Sequence, residues 1–444
     1  MSYIKKFPVL SFSFIVFLFL FINLFYNQIM TYFGYGFPRS TFFHLPSEVF
    51  SDFFKGIINP HNLSSYFTLR DGEEINLYFR TFKHYPFITK HLNFSFYSQN
   101  NIISPPFYSF LTGLNAIFFK LISPYLVYFL NIILFLTVFF FQIKNFLVDN
   151  KITFIIFITS IFSYAFLFMW NRGNIFAGFT CLILIQILIN CYSKKKFIQN
   201  FFLVMLAFSA KPSALCFALY IFNYNISFSK KFIYFFLLLI LCPFFFILVN
   251  EFNYIFLGNI WSFYKNFIGT FRMHSQDLYY NIYIIGDGGL AYGSSLWGAV
   301  KVFLRSFHNI NLHIWVKITF IFCSLVFLPL VLLFLQKKLS TPVFLYSLVS
   351  YYILASPVSA DYHLMLFFGP LLLLLKDYEN SDDKDLYIIL ILTVAFIVSP
   401  QHFFLTIENV PEKTILNPLL ILSTNIYILF KNKFFLLSFN RLNR

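Results

Sequence analysis

Few side chains in the chain could carry chemistry, and those that could stand beside apolar runs. Asp52 follows the first apolar run, in a segment (50–55) that also holds three phenylalanines. A carboxylate that is partly desolvated by aromatic neighbours becomes more basic, so Asp52 could act as a general base. The alternative is a helix N-cap, a position that Asp often occupies.

Two cationic side chains, Arg172 and Lys211, also lie beside apolar runs. Arg172 lies between two apolar runs, and a guanidinium can bind a phosphate through two hydrogen bonds. Lys211 occupies the tip of a predicted hairpin on the outer side of the membrane, where lone lysines are disfavoured, so an anionic partner is expected. Alternatively, Arg172 is an interfacial anchor and Lys211 is a snorkelling side chain.

The turn at 355–363 joins two further apolar runs and places Asp361 within three residues of His363. A histidine there could donate a hydrogen bond to a phosphate or share a proton with Asp52. A purely structural histidine is the alternative. Asp361 supplies a carboxylate to the same turn.

The segment 251–311 interleaves basic and aromatic side chains, with Arg272 among them. Such a mixture suits a lipid headgroup or a sugar phosphate. The glycine-rich turn at 286–289 has no strand-to-helix context, so it does not indicate a nucleotide loop. The five cysteines show no metal-binding spacing and are expected to be free thiols, and we predict no metal site and no cofactor.

The composition excludes a soluble or disordered protein. Hydrophobic residues make up 59% of the 444 residues and charged residues only 11%, less than half the usual proportion of about 25%. A soluble fold cannot bury that much apolar surface, and disorder requires the opposite balance. The net charge of +15 is assigned to loops that set membrane topology, so no nucleic-acid partner is expected.

The apolar runs predict an all-α, polytopic membrane protein with about twelve transmembrane helices. The first run is too long for a signal peptide and is interpreted as an uncleaved span. Lysine clusters between the runs are then all cytoplasmic, and the long segments are outside. The predicted spans are 7–33, 125–143, 152–170, 174–193, 198–210, 212–223, 232–250, 312–335, 341–356, 360–376, 385–402 and 414–430.

We expect residues 1–444 to form one integral membrane domain. A first extracytoplasmic loop (34–124) carries short interfacial helices, and its part 105–124 is interpreted as a helix that enters the outer leaflet and returns. A second extracytoplasmic loop covers 251–311 and is likewise expected to carry short interfacial helices. The C-terminal spans and a basic cytoplasmic tail make up 376–444.

Six short segments of the chain form a pattern by their order and spacing. They are Ser-Asp-Phe at 51–53, Ser-Pro-Pro-Phe at 104–107, Arg-Gly-Asn at 172–174, Ala-Lys-Pro at 210–212, Gly-Ser-Ser-Leu-Trp-Gly at 293–298 and Ser-Pro-Val-Ser-Ala-Asp-Tyr-His at 356–363. Read in this order, they resemble the GT-C superfamily of membrane glycosyltransferases, specifically family 87, which uses polyprenol-phosphate-mannose. The resemblance covers roughly 45–375, and Asn174 stands where the family usually has Gln.

The resemblance implies transfer of a sugar, expected to be a mannose-like hexose, from a polyprenyl-phosphate donor to a lipid-linked or glycan acceptor. The reaction would invert the anomeric configuration at the periplasmic face of a bacterial inner membrane. Asp52 would be the catalytic base. The residues expected to bind the donor phosphate or substrate are Arg172, Asn174, Lys211, Arg272, Ser295, Asp361 and His363.

Two other functions compete with this interpretation. An O-antigen-type polysaccharide polymerase also has about twelve spans, and it would rely on arginines of an outer loop. A lipid or glycan transporter would carry charges in the middle of its spans and paired helix breaks.

Overall fold

The computed structural model describes residues 6–35, 111, 124–147, 149–194, 196–224, 226–257, 284–286, 290, 293–305, 307, 310–357, 359–401, 403–405 and 410–432. Over these residues the named elements are all helices. The α-helices are α1 (Pro8–Tyr32), α2 (Pro124–Leu147), α3 (Asn150–Ile161), α4 (Tyr164–Arg172), α5 (Ile175–Ser193), α6 (Phe197–Ala210), α7 (Phe228–Leu257), α8 (Leu296–Leu304), α9 (Leu312–Leu335), α10 (Thr341–Ala355), α11 (Phe368–Asp377), α12 (Lys384–Val398) and α13 (Lys413–Lys431). The 3-10 helices are η1 (Pro212–Asn223) and η2 (Asp361–Phe367).

Six of these helices are long and apolar enough to cross a membrane. The count becomes seven if α3 and α4, which meet at a bend of 51°, form one broken span. In lipid a backbone must satisfy its own hydrogen bonds, which is why apolar runs of this length become helices. The six are Pro8–Tyr32, Leu126–Leu147, Ile175–Ser193, Phe228–Val249, Leu312–Leu335 and Lys413–Lys431.

The remaining predicted spans are helical but shorter than a bilayer. α6 has 14 residues, and α10 and α12 have 15 each. At about 1.5 Å per residue such helices reach only about 21–23 Å, whereas the hydrocarbon core is about 30 Å thick. The all-helical prediction is therefore confirmed for the described residues, and the count of twelve spans stays a prediction.

The hairpin predicted around Lys211 is confirmed. The end of η1 returns to the start of α6: the Tyr220 hydroxyl donates to the Phe197 carbonyl at 3.5 Å. The Tyr224 ring lies 5.1 Å from the Phe197 ring, between centroids. Because both ends of the hairpin meet, Lys211 occupies its tip.

Lys194 and Lys196, which cap the end of α5 and the start of α6, and the turn at 337–338 lie at the opposite end of the helices from Lys211. Lys194, Lys196 and Lys337 have positive φ angles of 52°, 61° and 59°, the left-handed conformation that lets a helix end sharply. α5 and α6 are consecutive helices that pack together, so the start of α5 lies at the same end as Lys211. This end of the bundle brings together the residues considered next.

The core is built around α5, which packs against α2, α6, α11 and both 3-10 helices. Gly369 at the start of α11 allows close contact, since a Cβ there would lie 2.6 Å from Leu188 Cδ1. Helices in lipid associate through such packing rather than through a hydrophobic driving force. α1, α7 and α9 instead expose large apolar side chains along much of their length.

The predicted long loops are described only in part. Residues 36–110 and 112–123 of the first loop lie outside the described residues, so the re-entrant helix predicted at 105–124 stays a prediction. In the second segment, α7 continues to Leu257, seven residues into the predicted loop. The short helix expected in that loop is present as α8.

Candidate functional site

Lys211 lies at the junction of α6 and η1, and the sequence explains why the chain turns there. Pro212 has no N–H to donate and pushes the preceding residue out of the helical region. Lys211 accordingly adopts φ −152° and ψ 109°, while its N–H still bonds the Ala207 carbonyl at 2.8 Å. Its side chain is half-buried.

His363 lies in the first turn of η2. α10 ends at Ala355, and Pro357 two residues later prevents its continuation. The chain then restarts as a 3-10 helix, in which the His363 N–H bonds the Ala360 carbonyl at 2.9 Å. The imidazole is buried, with 6% of the residue's surface exposed.

The hairpin tip and the first turn of η2 meet side chain to side chain. Lys211 Nζ lies 3.0 Å from His363 Nε2. An ammonium only donates hydrogen bonds, so Nε2 is the acceptor and the hydrogen of a neutral ring is assigned to Nδ1. Nδ1 is buried and has no hydrogen-bond partner among the described residues. We call these two side chains the Lys211–His363 pair.

Aromatic rings surround the Lys211–His363 pair. Lys211 Nζ lies 5.1 Å from the centroid of the Tyr352 ring, which contacts the imidazole edge-on at 6.0 Å. The Tyr362 ring lies 4.5 Å from the imidazole and stacks on Phe168. Rings that exclude water strengthen hydrogen bonds from Lys211 and His363, because the local dielectric is low.

Asp361 lies two residues before His363 and is fully buried in a separate set of contacts. Its carboxylate forms an ion pair with Lys413, the first residue of α13. The Ser294 hydroxyl donates to Asp361 Oδ1 at 2.6 Å, and Lys413 Nζ also donates to the Tyr164 hydroxyl at 2.6 Å. We call these four side chains the Asp361 cluster. Asp361 is thus held by protein groups on both oxygens.

The other predicted site residues have different positions. Ser295 caps α8: its hydroxyl accepts from the Gly298 N–H at 3.1 Å and donates to the Pro357 carbonyl at 3.3 Å. Arg172 and Asn174 flank the turn between α4 and α5, at the same end of the bundle as Lys211. Asp52 and Arg272 lie outside the described residues.

Lys413, Tyr164 and the hydroxyl of Ser294 were not predicted as site residues. A signal for Lys413 existed, because it is a lone lysine at the start of an apolar run and at the same predicted outer end as Lys211. The argument that made Lys211 unusual applies equally to it. Nothing in the sequence pairs Tyr164 with Lys413, which is 249 residues away.

The arrangement can bind an anion. It offers a cation and an adjacent N–H donor, a combination that suits phosphate oxygens. Across the described part of the chain, no three His, Cys, Asp or Glu side chains are grouped as metal ligands would be. Compared with known proteins, the chain matches no family model, no curated protein and no solved structure.

Proposed function

We propose that this protein is a membrane glycosyltransferase that uses a polyprenyl-phosphate sugar, mannose-like in the simplest case, as donor. The acceptor is a lipid-linked or glycan hydroxyl at the extracytoplasmic face. The observation that carries the proposal is the 3.0 Å approach of Lys211 Nζ to His363 Nε2. Both residues were expected at a phosphate on independent sequence grounds, and they lie 152 residues apart.

The leaving group explains what the Lys211–His363 pair does. As the bond between the anomeric carbon and the phosphate oxygen breaks, negative charge grows on the phosphate. A charge-assisted bond from Lys211 and a hydrogen bond from His363 Nδ1 stabilise that charge more in the transition state than in the ground state. Cationic and N–H donors placed in advance need no reorganisation as the charge develops.

The acceptor side of the reaction requires a base. The acceptor hydroxyl attacks the anomeric carbon from the face opposite the phosphate, its proton passes to a carboxylate, and the configuration inverts. We assign this role to Asp52, which lies outside the described residues. Asp361 does not suit the role, because both of its oxygens are already engaged by Ser294 and Lys413.

The membrane setting supports a lipid-linked donor. At least six helices can cross a bilayer, and the Lys211–His363 pair lies at a helix end rather than in mid-span. A polyprenyl chain can therefore stay in lipid while its phosphate reaches the pair. By the positive-inside rule, the lysine-rich turns at the opposite end are cytoplasmic, which puts the pair outside.

The test is a transfer assay with purified protein in lipid vesicles. Polyprenyl-phosphate-mannose and polyprenyl-phosphate-glucose, each radiolabelled in the sugar, are offered with an extract of membrane glycolipids as acceptor. We expect wild-type protein to release polyprenyl phosphate and to label a lipid or glycan. His363→Gln should lower turnover by about 100-fold, a typical loss for one donor to a developing oxyanion.

The control is Lys431→Met, which removes the lysine at the other end of α13. It should transfer sugar at the wild-type rate. The polymerase would be favoured if wild-type protein transferred sugar from neither donor but extended a lipid-linked oligosaccharide in the same vesicles. Movement of intact glycolipid across the bilayer would favour the transporter. Equal turnover by wild type and His363→Gln would remove the pair from the mechanism.

A further inference from the structure

The Asp361 cluster and the Lys211–His363 pair are linked by two residues of backbone. Asp361 and His363 share the first turn of η2, and Asp361 is the point at which that turn is tied to α13. The segment before η2 is held as well: the Ser294 N–H donates to the Ser359 carbonyl at 2.9 Å, and Gly293 forms a bridge with Ala360.

Two consecutive residues at the start of α13 contact both of these segments, the one before α8 and the one that leads into η2. Lys413 binds Asp361, while the Thr414 hydroxyl donates to the Leu290 carbonyl at 2.9 Å. Both side chains are buried, with 1% and 0% of their surfaces exposed. The start of α13 therefore connects Leu290 and Ser294 to the turn that carries His363.

Stability alone does not account for this ion pair. Removing two charges from water carries a desolvation penalty, and well-packed apolar side chains of similar volume often give equal or greater stability. What an apolar pair lacks is direction, since apolar contacts tolerate sliding. An ion pair whose carboxylate also accepts from Ser294 admits only a narrow range of positions.

We propose that Lys413 is a positioning residue: through Asp361 it sets the location of His363, and so keeps Nε2 within reach of Lys211. The last span thereby controls the pair although it contributes no side chain to it. If His363 is displaced, the protein should bind the donor phosphate more weakly, and this consequence rests on the proposed function. The position of His363 itself does not.

The direct test is ¹⁵N NMR of the full-length protein, labelled at histidine and reconstituted in lipid nanodiscs without any ligand. His363→Gln identifies the His363 signals among those of the nine histidines. In wild type we expect one protonated nitrogen, Nδ1, and one unprotonated nitrogen, Nε2, that accepts from Lys211. Lys413→Met should shift both signals of His363, while Lys413→Arg, which keeps the charge, should restore them.

Lys431→Met is the matched control, because Lys431 of the same helix pairs with Asp383 at the other end. It should leave the His363 signals in place. Lys413→Met leaves Asp361 buried and unpaired, so the midpoint of thermal unfolding should fall by roughly 5 °C or more. A loss of fold in that variant would be visible as a shift of every histidine signal.

The double variant Asp361→Asn with Lys413→Met separates positioning from stability. Removing both charges should restore the unfolding midpoint to within about 2 °C of wild type, since replacing a buried pair is often neutral. The His363 signals should nevertheless stay displaced. Wild-type signals in the double variant would overturn the proposal, as would unmoved signals in a folded Lys413→Met protein.

A separate binding experiment distinguishes failure of the proposed function from failure of the positioning role of Lys413. Binding of dolichyl or undecaprenyl phosphate to the wild-type protein tests that function, whereas the NMR comparison uses no lipid phosphate. If wild type binds, the double variant should bind about tenfold more weakly, although it is as stable as wild type. Wild-type affinity in the double variant would count against positioning.

Discussion

At the scale of single residues, Lys211 and His363 show how far a chemical argument from sequence reaches. Lys211 was expected at an anion because lone lysines are disfavoured on the outer side of a membrane, and His363 because an imidazole there could donate a hydrogen bond to a phosphate. Their mutual contact at 3.0 Å could not be predicted, since nothing local relates residues 152 positions apart. The argument used for Lys211 would have predicted Lys413 as a site residue too, but not its ion pair with Asp361.

Replacing Lys211 tests the phosphate contact. Lys211→Met retains most of the aliphatic stem but removes the charged Nζ, which lies over the Tyr352 ring. A charge-assisted hydrogen bond contributes about 1.5–3 kcal/mol, so affinity for polyprenyl phosphate should fall by roughly 10- to 100-fold. Equilibrium binding to the purified variant measures this, with Lys431→Met as the control. Unchanged affinity would make Lys211 a snorkelling anchor.

Replacing Asp52 tests the base. Asn keeps the shape and polarity of Asp but cannot take a proton at neutral pH, so Asp52→Asn should lower turnover by about two to four orders of magnitude. Donor binding and expression should stay near wild type. A helix cap predicts the opposite, because Asn caps as well as Asp. Near-normal transfer by the variant would exclude Asp52 as the base. The next candidates would then be Asp71, Glu73 and Glu74.

At the scale of elements, the turn between α4 and α5 depends on one glycine. Gly173 ends α4 with φ 75° and ψ 18°, a left-handed conformation. The turn is closed by hydrogen bonds from the Gly173 N–H to the Trp170 carbonyl and from the Asn174 N–H to the Met169 carbonyl. The Arg-Gly-Asn motif is therefore first of all a helix terminus.

Gly173→Ala should consequently destabilise the protein. A side chain in the left-handed region costs about 1–2 kcal/mol, which lowers the unfolding midpoint by a few degrees. Gly298→Ala is the matched control, because Gly298 lies inside α8 and its new Cβ would meet only ordinary contacts from 3.5 Å outwards. That variant should be neutral or stabilised. Thermal unfolding that ranks the two variants the other way would contradict this account.

At the scale of the whole molecule, the two ends of the helices differ in composition. Lysines crowd one end, at Lys194 and Lys196, in the first turn of α7 (230–231) and in the turn at 337–338. The other end carries the Lys211–His363 pair and the Asp361 cluster. The positive-inside rule predicts that the first end is cytoplasmic. The same rule applies to the segments 34–104 and 251–311, which we predict to be outside.

Cysteine labelling tests this orientation. Ser213, next to the tip, and Lys338, in a lysine-rich turn, are both exposed. In a variant without native cysteines, a membrane-impermeant maleimide added to intact cells should label Ser213→Cys and spare Lys338→Cys. Permeabilised cells should label both, which controls for reactivity. The inverse pattern would reverse the topology and place the Lys211–His363 pair in the cytoplasm.

The sequence by itself determined the all-helical class of the protein and the approximate location of most of its helices. Apolar composition and run length are local properties, and a backbone in lipid has few choices besides a helix. The hairpin tip at Lys211 was also predictable, because a proline between two apolar runs ends one helix and starts another.

Only the tertiary structure decided which helices are long enough to span, and which polar side chains meet. Run boundaries do not fix where a helix bends or shortens, as the 51° bend between α3 and α4 and the short α10 and α12 show. The Asp361–Lys413 ion pair joins residues 52 positions apart, one at the start of η2 and one at the start of α13. Such contacts depend on how helices pack in three dimensions, and the hydropathy of the sequence does not predict which helices pack together.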